Sequence, residues 1–202
     1  MSEMGNRDEL VIDARGGDDL AFMGLVELET PDAFRLSLAI LREPHDAEDA
    51  LQEAFVRAWR QLPRLKDAER WPGWFRRIVV STAIDTGRRK KGRRFVPLGF
   101  REPEPAPDRS AAVADRDELD RAMTRLDEKD RALLALRFGH DLELPDVAAA
   151  LGIPLGTAKS RLHRALARMR RELESSDGHG RRTTAPGEAR PSVEPVSSEP
   201  RV

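Results

Sequence analysis

Apolar residues in this chain recur at helical spacing, with no sustained period-two alternation bounded by hairpin turns. From Asp46 the pattern is clearest. Leu51, Ala54, Phe55, Ala58 and Trp59 fall at i, i+3, i+4, i+7 and i+8 and predict one buried helix face that Pro63 ends. A second stripe opens near Trp71-Pro72, carries Trp71, Trp74, Phe75, Ile78, Val79, Thr82 and Ala83, and runs into basic residues at Arg88. Upstream, Asp18 or Asp19 is placed to cap a helix bearing Phe22, Leu25 and Val26, and Pro31 to open another bearing Phe34, Leu38 and Leu41. Downstream, Leu119, Ala122, Met123 and Leu126 form a stripe, and Asp127 suits the cap of a helix with Leu133, Leu134 and Leu136. The expectation is an all-α chain of two small helical domains, 8–92 and 115–174. Pro97, Pro103, Pro105 and Pro107 make 93–114 a flexible extended linker, and 175–202 has nothing to bury and reads as a disordered tail.

The densest pattern lies in Pro145–Arg171. Val147 and Leu151 are one turn apart, Ala148 is small where two helices would approach, and Gly152 offers the positive φ of a helix C-terminal turn. Pro154 suits the first turn of a following helix. There Ala158, Leu162, Ala165 and Met169 point inward, leaving Lys159, Ser160, Arg161, His163 and Arg164 on the remaining faces. This is the pattern of a helix-turn-helix with a recognition helix for the major groove, set against a packed helical hairpin with a solvated basic face.

Charge changes the picture more than composition does. The 202 residues carry a formal net charge of −1, yet Met1–Glu53 holds fourteen Asp and Glu against four Lys and Arg. Arg88–Arg94 and Lys159–Arg171 are strongly basic. An acidic front and two basic patches imply different surfaces meeting different partners. The absence of cysteine excludes disulfides, thiolate metal sites and a cysteine nucleophile, and His45, His140, His163 and His179 show no ligand spacing. No cofactor or metal is expected, and no enzymatic activity. With no apolar run near the ~20 residues of a bilayer span and no signal-peptide core, the expectation is a cytoplasmic chain without membrane insertion.

Three clusters carry candidate chemistry. Asp46, Asp49 and Glu53 share one helix side, flanked by Glu48 and Gln52, as a stripe for a basic helical partner, a solvated face, or a divalent-metal site. Trp71, Trp74 and Phe75 precede a basic helix end, where rings can stack on unpaired bases and cations follow phosphates. Trp74 and Phe75 sit at core spacing, leaving Trp71 as the ring expected to be exposed. In Arg88–Arg94, six of seven residues are Lys or Arg, a solvated loop or a phosphate contact.

Two segments in this order, HDAEDALQEAFVRAWRQL at His45–Leu62 and LGIPLGTAKSRLHRALARMR at Leu151–Arg170, make the chain resemble a bacterial sigma factor. More narrowly, it resembles the extracytoplasmic-function group of the sigma-70 family. The resemblance implies that Asp46, Asp49, Gln52 and Glu53 contact core RNA polymerase, on a coiled coil of the β′ subunit, with the β subunit a further contact. It implies that Trp71, Arg77, Ser81, Asp85, Arg88, Arg89, Lys90 and Lys91 serve a −10 promoter element held partly single-stranded, with a base flipped out. Thr157, Lys159, Ser160, Arg161, His163, Arg164 and Arg168 would meet a double-stranded −35 element. An anti-sigma factor is a further candidate partner, and nucleoid association is implied when the protein is active. Some positions depart from the family pattern. Ser81 stands for the usual asparagine, Val80 for a basic residue, and Leu144-Pro145 for a small polar cap; Gly87 interrupts the helix at about 1 kcal/mol against alanine.

Sites two DNA turns apart are ~70 Å from centre to centre. A linker of about twenty residues reaches at most ~65–70 Å, so the polymerase must fix the spacing and the free protein should bind DNA weakly. The expected function is promoter recognition and −10 melting with core polymerase. The alternatives are a polymerase-independent helix-turn-helix repressor or activator, and a metal-dependent nuclease using Asp46, Asp49 and Glu53.

Overall fold

The computed structural model describes residues 3–93 and 111–180, with side chains for 6–91 and 118–174. Among these residues it is all helical: α1 Glu3–Arg15, α2 Asp19–Leu41, α3 Pro44–Gln61, α4 Trp71–Arg93, α5 Ala111–Thr124, α6 Glu128–Leu134, α7 Leu144–Leu151 and α8 Leu155–Gly180. Two 3₁₀ turns, Leu62–Arg64 and Ala68–Arg70, link α3 to α4, and a π turn, Ala135–Gly139, follows α6.

Helix α1–α4 starts and stops follow local chemistry. Asp18 caps α2 by accepting from the amides of Leu20 and Ala21. The sequence pattern places a helix boundary at Pro31, but α2 runs straight through it. Proline removes one backbone donor and disfavours a helix interior by ~3 kcal/mol. Buried Leu25 and Ala33, Leu36 and Ile40, on either side of it, hold one continuous face against the core. Thr30 Oγ1 also donates to the Val26 carbonyl at 2.6 Å in the affected turn. Arg42 then ends α2 in the left-handed region (φ 64°), its amide donating to the Leu38 carbonyl at 2.8 Å. Glu43 caps α3 by accepting from the His45 amide, so this helix begins at Pro44, before the Asp46 start that the pattern suggests.

The stripe along α3 is buried as its spacing predicts: Leu51, Ala54, Phe55 and Ala58 are in the core and Trp59 packs against it. Phe55 stacks on Phe75 of α4 with ring centroids 4.9 Å apart. In the second half, Asp127 caps α6 through the Asp130 amide at 2.8 Å. Gly152 closes α7 at φ 63°, with its own amide bonded to the Ala149 carbonyl and that of Ile153 to Ala148. Val147, Ala148, Ala158 and Ala165 are buried at the crossing of α7 and α8. α8 extends to Gly180, beyond the Glu174 end expected from sequence, and α5 begins at Ala111, inside the expected 93–114 linker; residues 94–110 and the tail from Arg181 lie outside the described residues.

The sequence pattern does not announce that the two halves pack on each other. α6 lies against α2 and α4, α7 lies against α4, and one buried apolar cluster runs across both halves. His140 sits at this contact beside Glu29, Asp32, Leu36, Phe75 and Arg76. Burial holds its imidazole below the ordinary 6.5; Arg76 adds to this, Asp32 opposes it and Arg35 adds a little more. A histidine with a lowered folded-state value contributes its full share above the unfolded value. That share is lost as pH falls through the folded value. The thermal midpoint should therefore drop as pH falls below about 6.5, and His140→Gln should flatten that limb. An unchanged slope in the variant would assign the acid sensitivity elsewhere.

Candidate functional site

Three surfaces carry the residues singled out from sequence. On α3, Asp49, Gln52 and Glu48 are exposed with Val56 beside them, and His45 Nδ1 lies 3.7 Å from Asp49. Glu53 is half-buried and accepts from Arg57 Nε at 2.8 Å. That bond is the main reason its carboxyl lies below the usual range; slight burial opposes it, and the charges of Arg57, Arg89 and Arg60 reinforce it. Arg57 also approaches Asp85 of α4 at 3.6 Å.

Asp46 does not join this face. It is 8% exposed, and its carboxylate turns to Lys90 of α4. The exposed surface is therefore the carboxylates of Glu48 and Asp49 with the neutral amide of Gln52, and Glu53 lies at its edge. Asp46, Asp49 and Glu53 each face a different side chain (Lys90, His45 and Arg57), so the three carboxylates do not converge as the nuclease reading requires. Among the described residues no group of His, Cys, Asp and Glu is arranged to hold a metal ion.

On α4 the expectation of an exposed Trp71 is overturned. Trp71 is fully buried, stacked on Phe75 at 5.2 Å with rings 5° apart, and donates from Nε1 to Glu29 at 3.1 Å. Trp74 is half-buried and packs against Trp71 at 5.5 Å. Val80 is buried too, so the departure from a basic residue places an apolar side chain in the core. The exposed set is Arg77, Ser81, Arg88, Arg89, Lys90 and Lys91, with Asp85 half-exposed. Ser81 Oγ donates to the Ile78 carbonyl at 3.0 Å, and Arg89 bonds Thr86. Lys91 bonds Glu128 of α6 at 2.9 Å.

The loop between α3 and α4 was missed by the sequence reading. Arg64, Lys66 and Arg70 line a cleft of ≈ 1010 Å³ together with Arg76 and Arg77, and Asp146, Ala149 and Ala150 of α7 also line it. Three cations within Arg64–Arg70, just past a helix-ending proline, were the available signal.

Helix α8 divides its cations between two jobs. Thr157, Lys159, Ser160, His163 and Arg164 are exposed. Arg168 Nη1 meets Asp130 Oδ2 at 3.0 Å, and Arg161 Nε comes within 3.9 Å of the same carboxylate. Asp130 was not singled out from sequence, yet its side chain is 7% exposed and it ties α8 to α6. Burial pushes its carboxyl up, Asp127 adds to this, and Arg161, Arg168 and Arg164 pull it back. Thus Arg161 and Arg168 pair with Asp130, Arg168 while still exposed, and Thr157, Lys159, Ser160, His163 and Arg164 are the exposed residues with no such pair.

Two family models match the chain: Sigma-70 region 2 over residues 25–94 and Sigma-70, region 4 over residues 116–169. RNA polymerase sigma-E factor of Streptomyces avermitilis is 34% identical over 166 residues, covering 80% of this chain and 89% of the relative. ECF RNA polymerase sigma factor SigM of Mycobacterium tuberculosis is 34% identical over 165 residues, covering 82% and 83%. In fold, the chain is similar to CnrH in complex with the cytosolic domain of CnrY. That match has a TM-score of 0.61 at 23% identity, over 84% of this chain and 98% of that one. It is also similar to the sigma factor RpoE in complex with the anti-sigma factor NepR from Bartonella quintana (TM-score 0.59, 23% identity, 76% and 96% covered).

A helical region 2 followed by a helix-turn-helix region 4, with relatives matched over most of their length, defines a transcription initiation factor. The chain belongs to the sigma-70 family of RNA polymerase sigma factors, within its extracytoplasmic-function group. That family is a regulatory, non-catalytic class whose domains act with RNA polymerase and promoter DNA. Among the described residues, no helix is long and apolar enough to cross a membrane.

Proposed function

We propose that the work of promoter-specific initiation is divided among three faces. The exposed α3 surface, with Asp49 and Gln52 at its centre and Glu53 at its edge, docks on the β′ subunit of core polymerase, and the β subunit supplies a further contact. The basic loop Arg64–Arg70, with Arg77, Ser81 and the Arg88–Lys91 cluster, takes the −10 element and its unpaired strand. Thr157, Lys159, Ser160, His163 and Arg164 enter the major groove at −35. The protein acts in the cytoplasm, nucleoid-associated when active, and an anti-sigma factor is its negative partner. Supporting this division is one observation: Thr157, Lys159, Ser160, His163 and Arg164, which make no ion pair with Asp130, lie exposed along one side of α8.

The assignment is tested by transcription in vitro with purified core polymerase on a genomic fragment library, together with a polymerase-binding titration. Asp49→Lys combined with Gln52→Lys should weaken polymerase binding about tenfold or more, equivalent to ~1.4 kcal/mol. Both positions are exposed, so thermal stability should stay within about 0.5 kcal/mol of the parent. Unchanged polymerase affinity would remove α3 as the docking face. A library in which no fragment directs initiation would overturn the whole division.

A further inference from the structure

The α3–α4 loop carries its cations on little structure of its own. Two local backbone bonds close its 3₁₀ turns, from the Leu65 amide to the Leu62 carbonyl at 2.9 Å and from the Arg70 amide to the Asp67 carbonyl at 3.1 Å. Leu65 is extended (φ −72°, ψ 113°) and its side chain is buried. Neighbouring side chains on an extended backbone point to opposite sides, so burying Leu65 sends Arg64 and Lys66 together to the exposed side. There they line the cleft with Arg70, Arg76 and Arg77; Asp67 and Glu69 line it too. Arg70 pairs with Asp67 at 2.9 Å, whereas among the described residues Arg64 and Lys66 make no ion pair. Cations gathered on one short segment repel one another, and two local bonds do little to stop the segment splaying.

What resists that splaying comes from α1. Arg15 ends this helix, and Gly17 at φ 99° turns the chain away into α2. Arg15 Nη1 donates to the Leu65 carbonyl at 3.2 Å and to the Lys66 carbonyl at 2.7 Å. One planar guanidinium thus fixes two successive peptide groups, and its charge strengthens each bond. Rolling the loop to turn Leu65 outward would break both. The far end of the loop is tied to the same helix: Trp71 donates to Glu29, and Glu29 pairs with Arg7. No residue of α1 belongs to any of the three faces above, yet its two arginines hold both ends of the basic loop.

We propose that Arg15 is a positioning residue for capture of the −10 strand. By holding the Leu65 and Lys66 carbonyls, it keeps Arg64 and Lys66 set toward the unpaired strand before that strand arrives. A loop already ordered has no such freedom to lose on binding, so it holds the strand more tightly than the same cations on a free loop. Arg15 acts through the loop and touches no DNA itself. The inference rests on the assignment of that loop to the −10 strand.

The test uses holoenzyme assembled from core polymerase and the full chain, on a promoter selected from the genomic library whose −10 segment is held open by mismatches. Arg15→Ala should bind this template about tenfold more weakly than the parent. Arg15→Lys, which keeps a charged donor, should recover most of the loss. The slope of log affinity against log salt should fall in Arg15→Ala by ~0.7 for each strand phosphate that Arg64 or Lys66 no longer meets. A smaller folded fraction would leave that slope alone. In a background of Arg64→Ala with Lys66→Ala, Arg15→Ala should add little, and core affinity should match the parent throughout. Template binding by Arg15→Ala equal to the parent would overturn the inference. So would full additivity with the loop variant, because Arg15 would then act by another route. Equal losses of template and core affinity would overturn it as well, by making Arg15 a support of the whole fold. A loop variant that binds like the parent would remove the loop assignment and this inference with it. A weakened loop variant beside an unaffected Arg15→Ala would remove the inference alone.

Discussion

Trp71→Ala is expected to cost about 3–5 kcal/mol of stability, the range for removing a large buried aromatic side chain. The ring has no exposed edge. It stacks on Phe75, packs against Trp74 and donates to Glu29, which Arg7 of α1 also binds at 2.9 Å. One side chain thus joins α1, α2 and α4, and Phe75 extends the stack to Phe55 on α3. Truncation leaves a cavity and removes a donor from a carboxylate that Arg7 alone must then satisfy. Trp71→Phe should cost less, because it keeps the stack and loses only the N–H. Urea unfolding checks both. If Trp71→Ala unfolds like the parent yet abolishes promoter opening, the ring acts on an unpaired base and not in the core.

Trp71 also illustrates what a sequence does and does not disclose. Helical periodicity is local, so the stripe of Leu51, Ala54, Phe55 and Ala58 was legible, as were the caps Asp18 and Asp127 and the left-handed Gly152. Which way a flanking polar residue turns depends on a neighbour far along the chain. Asp46 shares its helical side with Asp49 and Glu53, but Lys90 on another helix claims its carboxylate. Arg161 sits beside Arg164 on the sequence wheel, but Asp130, on α6, draws it inward. Gly87 looked like a weak point within α4, because the residue it accommodates, Glu128, lies across a linker. Pro31 looked like a boundary because its local cost is visible from sequence and the packing that offsets it is not.

The division of cations on α8 leads to the second large effect. Lys159→Ala with Arg164→Ala should reduce −35-dependent transcription by the loss of ~1–3 kcal/mol for each base-reading contact, with little change in stability. Arg161→Ala with Arg168→Ala should act on stability instead. It strips both ion-pair partners from a nearly buried Asp130 and should lower stability by about 1–3 kcal/mol. The pH dependence separates the cases. Burial already raises the Asp130 carboxyl, and losing two cations raises it further. An acid whose folded-state value is raised penalises folding above that value. The penalty fades as pH falls through it toward the unfolded value of 3.8, where it is gone. The Arg161/Arg168 deficit should therefore shrink on acidification, while the transcription loss of the Lys159/Arg164 variant should show no such stability signature. If Arg161→Ala alone abolishes discrimination against a scrambled −35 sequence at unchanged stability, Asp130 does not restrain it. The recognition face of α8 would then have to include its inward side.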